Sequence, residues 1–183
     1  MLRKKRIYLL LFILVLLSLL YCVIPYKITL SAELSQLVFV YDSEDSIDIQ
    51  QQVSYTLGEF VSKTSSLEKD TGNTTLYINK FILFKWLNDC KKELNYFNSE
   101  GIEVNNNNVT VNCEKEDVPQ TMIYVDAHVR YLVVKQLLSG VSPEKINVKV
   151  TFIEKSSGNI LIYADWPKEI YNIDRELFFD ENR

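Results

Sequence analysis

The chain has 183 residues, a formal net charge of −4, 47% apolar and 24% charged side chains. That is the length of about one domain, and it is too apolar for disorder; five Gly and four Pro are too few for a long flexible linker or a collagen-like repeat. A single His, three Cys and no Gly-rich run exclude phosphate-loop nucleotide sites, multi-His metal centres and zinc ribbons.

Residues 1–25 read as a cytosolic stub and membrane anchor. Arg3-Lys4-Lys5-Arg6 places four positive charges in a row, and Ile7 to Ile24 then carries no charge over eighteen residues. As a helix that stretch is about 27 Å long, near the ~30 Å hydrocarbon core of a bilayer, and Pro25 marks its end. Basic flanks stay cytosolic, so the expectation is a single-pass inner-membrane protein, its C-terminal domain in the periplasm or outside the cell. Cleavage near Ser31 or Ala32 is an alternative. Lipid attachment at Cys22 is another, since Leu19-Leu20-Tyr21-Cys22 looks like a lipobox with a bulky Tyr21 where a small residue belongs. With residues 3–6 set aside, 16 basic side chains face 24 acidic ones, a formal −8. Such a surface has no reason to bind nucleic acid or anionic lipid.

Residues 26–166 show no internal break and read as one extracytoplasmic domain. Leu37 to Tyr41 suits a short buried strand. Asp42, Glu44, Asp45 and Asp48 lead into an amphipathic helix over 46–64, capped at Asp45-Ser46, with Ile49, Val53, Leu57, Phe60 and Val61 on one face. Gly72-Asn73 turns the chain into a β-rich stretch, Thr74 to Ile82. A second helix spans 83–98, its apolar face formed by Leu83, Trp86, Leu87, Cys90, Leu94 and Phe97, and Gly101 closes it. Ile102 to Val111 reads as a hairpin turned by four Asn.

Over 121–136, strict alternation puts Ile123, Val125, Ala127, Val129, Tyr131 and Val133 on one side, with Asp126, His128 and Arg130 facing solvent. That periodicity and the β-branched content predict a strand, against which Gly140 and Pro143 stand as a helix stop. Ile146 to Phe152 and Ile160 to Ala164 alternate around a Ser-Ser-Gly-Asn turn and complete a three-strand antiparallel meander. The fold class expected is α+β: a transmembrane helix, then two layers, a mostly antiparallel sheet with two amphipathic helices on one face. Residues 167–183 form a tail with Ile170, Ile173, Leu177 and Phe178 at helical spacing, either a helix docked on its own domain or a partner-binding helix.

The chemistry-bearing residues are few. Cys90 and Cys113 both point inward and form a disulfide candidate closing a loop of about 24 residues, worth roughly 3 kcal/mol in the chain-entropy account; two separate buried thiols are the alternative. Asp126, His128 and Arg130 stand about 7 Å apart on a strand, too far for a catalytic relay. No catalytic, cofactor-binding or metal site is expected, and no cofactor. Asn73-Thr74-Thr75 and Asn108-Val109-Thr110 are glycosylation sequons, relevant to a eukaryotic or viral source.

The stretch Val148-Lys-Val-Thr-Phe-Ile-Glu-Lys-Ser-Ser-Gly-Asn-Ile-Leu-Ile-Tyr-Ala-Asp-Trp166 resembles the strand, Gly turn and Trp-ended strand of small bacterial envelope accessory proteins with a domain similar to the N-terminal domain of TolB. The resemblance implies an α/β accessory fold and carries no functional residue across. The function expected is a non-enzymatic, membrane-anchored binding or assembly module of an envelope complex, with a protein partner and the membrane contacted through residues 7–24. A glycosylated type II surface protein, or an envelope hydrolase with an unrecognised carboxylate pair, are the alternatives.

Overall fold

The structure is a computed structural model that describes residues 2–39, 49–68, 70–96 and 100–169. The chain is α+β. It runs α1 (Leu2–Val23), β1 (Tyr26–Leu30), α2 (Ala32–Phe39), α3 (Ile49–Leu57), α4 (Glu59–Thr64), β2 (Ser66–Leu67), β3 (Thr74–Ile78), α5 (Lys80–Tyr96), β4 (Ile102–Asn105), β5 (Asn108–Cys113), α6 (Val118–Leu138), β6 (Val148–Glu154) and β7 (Ile160–Trp166). Two sheets form, one in the order β1-β3-β2 and one in the order β4-β5-β6-β7.

The centre of the fold is α6. Its buried runs Ala127-His128-Val129 and Leu132-Val133-Val134 each sweep about 200° of a helix, so most of its circumference is covered. It packs on α5 and α2, and on β5 and β6. The alternating inward residues of those strands, Val109, Val111 and Cys113 in β5 and Val148, Val150 and Phe152 in β6, complete the core. The first sheet joins the same core through Ile28, Leu30, Leu76 and Ile78.

This arrangement corrects the expected strand over 121–136. A helix buried around most of its circumference has no broad polar face, so its β-branched content imitates a strand, and the stop signal at its end is the better guide. Pro119 lies in the first turn of α6, and at the other end Val141 N–H donates to the Gln136 carbonyl and Gly140 N–H to that of Leu137, both at 3.0 Å. The three-strand meander falls with it. β6 pairs antiparallel with β7 but parallel with β5, and a parallel pair needs a long crossover, which α6 supplies. The layering of two helices on one sheet face is likewise replaced by α6 on β5 and β6, with the first sheet packed on α2 and α4.

Other elements shift less. Of the apolar run expected as a strand over 37–41, residues 37–39 end α2 instead, with Leu34, Val38 and Phe39 buried at helical spacing, and residues 40 and 41 lie outside the described residues. The helix expected over 46–64 is broken at Gly58, whose N–H closes α3 on the Ser54 carbonyl and whose carbonyl opens α4 at Ser62 N–H. α5 starts at Lys80, three residues before the helix expected over 83–98, while Phe97 lies outside the described residues; the β4–β5 hairpin falls where the pattern puts it, with Asn106 at φ 53 in its turn. The acidic run Asp42, Glu44, Asp45 and Asp48 lies outside the described residues, as do Ile170, Ile173, Leu177 and Phe178.

Among the described residues, no helix is long and apolar enough to cross a membrane. Of the 22 residues of α1, Arg3, Lys4, Lys5 and Arg6 are charged, which leaves Ile7 to Val23 as its uncharged part, about 26 Å at 1.5 Å per residue and short of the ~20 apolar residues of a typical span. The expected single-pass anchor, and the inner-membrane and periplasmic placement derived from it, are corrected on that finding. α1 is held to the rest of the chain at its end. Asn79 Nδ2 donates to the Val23 carbonyl at 3.0 Å, while Asn79 Oδ1 accepts from Ile82 N–H at 2.9 Å and so caps α5. Lys80 Nζ sits 4.9 Å from the centre of the Tyr21 ring, a cation–π contact.

Candidate functional site

Helices α2, α3, α5 and α6 surround a cleft of about 820 Å³. Its floor is aromatic: Phe39 from the end of α2 and Trp86 from the inner face of α5 stack with centroids 5.8 Å apart and planes 10° from parallel. The rim carries Gln52, Tyr55, Asp89, Ile123 and Asp126. Tyr55 is almost wholly exposed, and Ile123 is the exposed apolar residue of α6.

Across the cleft, Arg130 of α6 reaches Glu93 of α5. Its Nη1 donates to both Glu93 carboxylate oxygens at 3.0 Å, and its Nε donates to the Leu37 carbonyl of α2 at 3.3 Å. The Arg130 side chain is 16% exposed and that of Glu93 37%, so the pair is neutralised in a partly dry setting. One guanidinium thereby ties three helices together. Beside it, burial pushes the Cys90 thiol up to about 12, against a smaller lowering by Arg130. That sulfur stays protonated and is a weak nucleophile.

The cysteines do not meet. Cys90 and Cys113 are both buried, as their positions imply, yet both are free thiols, and the expected disulfide is corrected. The reason lies in α6, which packs against α5 on one side and β5 on another. Inward parity on two elements is not proximity when a helix packs with both. Cys113 also has its thiol raised, by burial first and by the Asp117 carboxylate second.

His128 is buried rather than solvent-facing, and its Nδ1 lies 2.8 Å from the Tyr124 carbonyl one turn back on the same helix. Asp126 and Arg130, four residues apart on α6, both line the cleft, which the strand reading could not show. Of the sequons, Asn108 is exposed at the start of β5, while Thr74 is fully buried. Among the described residues, no group of three His, Cys, Asp or Glu side chains is placed to hold a metal ion.

Of two surface features, the apolar α1 was legible in the sequence and the stripe on α5 was not. Every described side chain of α1 is exposed, the large apolar ones from 41% at Ile13 to 70% at Tyr8. On the outward side of α5, Phe81, Phe84, Lys85, Lys91 and Lys92, with Asn88, Asn95 and the carboxylate of Asp89, line a shallow depression of about 470 Å³. Their spacing of three and four residues was the available signal, hidden because Phe81 was counted into the preceding strand.

Comparison of the chain with known protein families, with characterised proteins and with solved structures finds no match.

Proposed function

We propose that the protein is a non-enzymatic binding and assembly module, in the manner of the bacterial envelope accessory proteins that its β6–β7 hairpin resembles. The observation that supports this reading is the uncovered surface of α1. A helix apolar around its whole circumference is stable in water only when something covers it, and large exposed apolar surfaces mark association sites. The domain therefore works by being brought to a partner whose apolar surface receives α1. The cleft is consistent with a scaffold rather than a reaction centre. Its arginine is neutralised by Glu93 and its thiol is held protonated, while the histidine ring at Nδ1 is directed to its own helix.

Photo-crosslinking in the native host tests the reading. With a benzophenone amino acid at Leu10 or Leu14, the same discrete protein adduct should form at both positions and disappear when Leu14→Asp is introduced beside the Leu10 probe. Adducts to lipid alone, or none, overturn it.

A further inference from the structure

We infer that the outward face of α5 is a docking surface for an acidic amphipathic segment of a protein partner. The inference rests on the assembly reading above and names the chemistry of the partner. Phe81 is 66% and Phe84 53% exposed, neighbours at a spacing of three on one helix. Beside and beyond them stand Lys85, Lys91 and Lys92, all exposed, with Asn88 and Asn95 between. The opposite face of the helix is spent on the core through Leu83, Trp86 and Cys90. α5 is therefore fully packed on one side and offers two phenyl rings and three ammonium groups on the other.

The charge on that face is unusual for this chain. The protein is net acidic at −4, yet the stripe is basic. Lys92 Nζ is held by Asp89 at 2.8 Å, and Lys85 and Lys91 have no ion-pair partner among the described residues. A ligand that satisfies both halves must put carboxylates over the lysines and apolar side chains into the depression by the phenyl rings. An acidic helix with apolar residues at three- and four-residue spacing does this in the helix-in-groove manner. Three lysines, one of them already paired with Asp89, fall short of the roughly four to eight clustered basic residues that recruit an anionic bilayer. The stripe adjoins α1, which packs against α5 and is tied to it through Asn79 and Lys80, so one partner can engage both surfaces.

The test uses the full chain and a labelled, designed peptide of about 18 residues, long enough to be helical, built of Leu at core spacing with Glu elsewhere. The same peptide with every Glu replaced by Lys is the control, and vesicles of phosphatidylcholine with phosphatidylglycerol are the lipid arm. The Glu peptide should bind and the Lys peptide should not. Affinity should fall about tenfold or more in the K85E/K91E/K92E variant and in F81S/F84S, and about tenfold at high salt. Lys63→Glu, at an exposed position of α4, should leave binding unchanged, and circular dichroism should show all variants folded. Equal binding of the two peptides, no binding, or lysine-dependent binding to the anionic vesicles without peptide binding overturns the inference. Because the α5 variants leave α1 unaltered, loss of peptide binding in them reports on the α5 face and is read separately from the crosslinks at Leu10 and Leu14.

Discussion

Arg130 and Glu93 join α6 to α5 through a single guanidinium nitrogen that donates to both carboxylate oxygens at 3.0 Å. The pair sits at the edge of a cleft, with Arg130 the more buried partner. Removing the carboxylate therefore leaves a largely desolvated cation that keeps its bond from Nε to the Leu37 carbonyl but has lost its Glu93 partner. A fully buried pair broken this way loses about 3–5 kcal/mol and an exposed one about 0–1. Glu93→Gln is expected between these, near 2 kcal/mol, read from the urea midpoint. The double variant Glu93→Leu with Arg130→Met should recover most of that loss, because it buries no orphan charge. A loss below about 0.5 kcal/mol for the single variant would show the pair to be a surface ornament.

Asn79 performs two tasks that substitution separates. Asn79→Ala removes the α5 cap and the bond to Val23, and should cost about 1 kcal/mol. Asn79→Asp keeps an acceptor for Ile82 N–H but has no donor for the Val23 carbonyl. The aspartate should retain stability within about 0.5 kcal/mol while amide exchange in the last turn of α1 quickens. Unchanged exchange in both variants would mean that packing alone seats α1.

How far the sequence carried this fold depends on whether an element has two unlike sides. α5 was legible because Leu83, Trp86 and Cys90 alternate with Asn88, Lys91 and Lys92 at helical spacing. The β6–β7 hairpin was legible because Val148, Val150 and Phe152 are inward and Lys149 is outward. α6 offered no such contrast: Val133 and Val134 are both buried, and β-branched residues then imitate a strand. The parallel pairing of β5 with β6 was invisible for the same reason, since it follows only once 118–138 is a crossover. At the candidate site, Cys90 and its inward aspect were readable, but its neighbour Arg130 comes from the element misread as a strand. The exposed Phe81 was masked by an expected strand that ran four residues too far, which left Phe84 without its helical neighbour.

The cysteines give a titration that the corrected pairing requires. Protein prepared without reductant and then denatured should show three reactive thiols; a count of one would restore the Cys90–Cys113 bridge. In the native state Cys22, which is exposed, should react quickly, and the two buried thiols slowly.

The same burial has a consequence for stability at high pH. The Cys90 thiol titrates at about 12 when folded, against an ordinary value of 9.0. Between those values the unfolded chain loses a proton that the folded chain keeps, so the unfolded state binds fewer protons and stability falls as pH rises. Full stability from this group is present below about 9 and declines towards 12. The difference in unfolding free energy between the native chain and Cys90→Ala should shrink over that window. A constant difference from pH 8 upward would show that the thiol ionises freely in the folded protein.

Two glycines should respond differently to the same substitution, for reasons the backbone makes separable. Gly58 joins α3 to α4 at φ 94 and ψ 161, a region that side chains avoid, yet an added Cβ there would meet nothing within 4 Å. Gly58→Ala therefore costs only conformational strain, of the order of 1–3 kcal/mol. Gly101 precedes β4 at φ 84, and its added Cβ would lie 2.5 Å from the Asn112 carbonyl oxygen. That oxygen belongs to the backbone of β5, and Asn112 N–H is bonded to the Gly101 carbonyl at 2.8 Å, so neither partner can step aside without opening the hairpin. Gly101→Ala should thus cost more than Gly58→Ala and should raise amide exchange at Val111 and Asn112, whereas Gly58→Ala should leave the hairpin protected. If Gly58→Ala proves the more damaging, the break between α3 and α4 is a packed joint and not an open one.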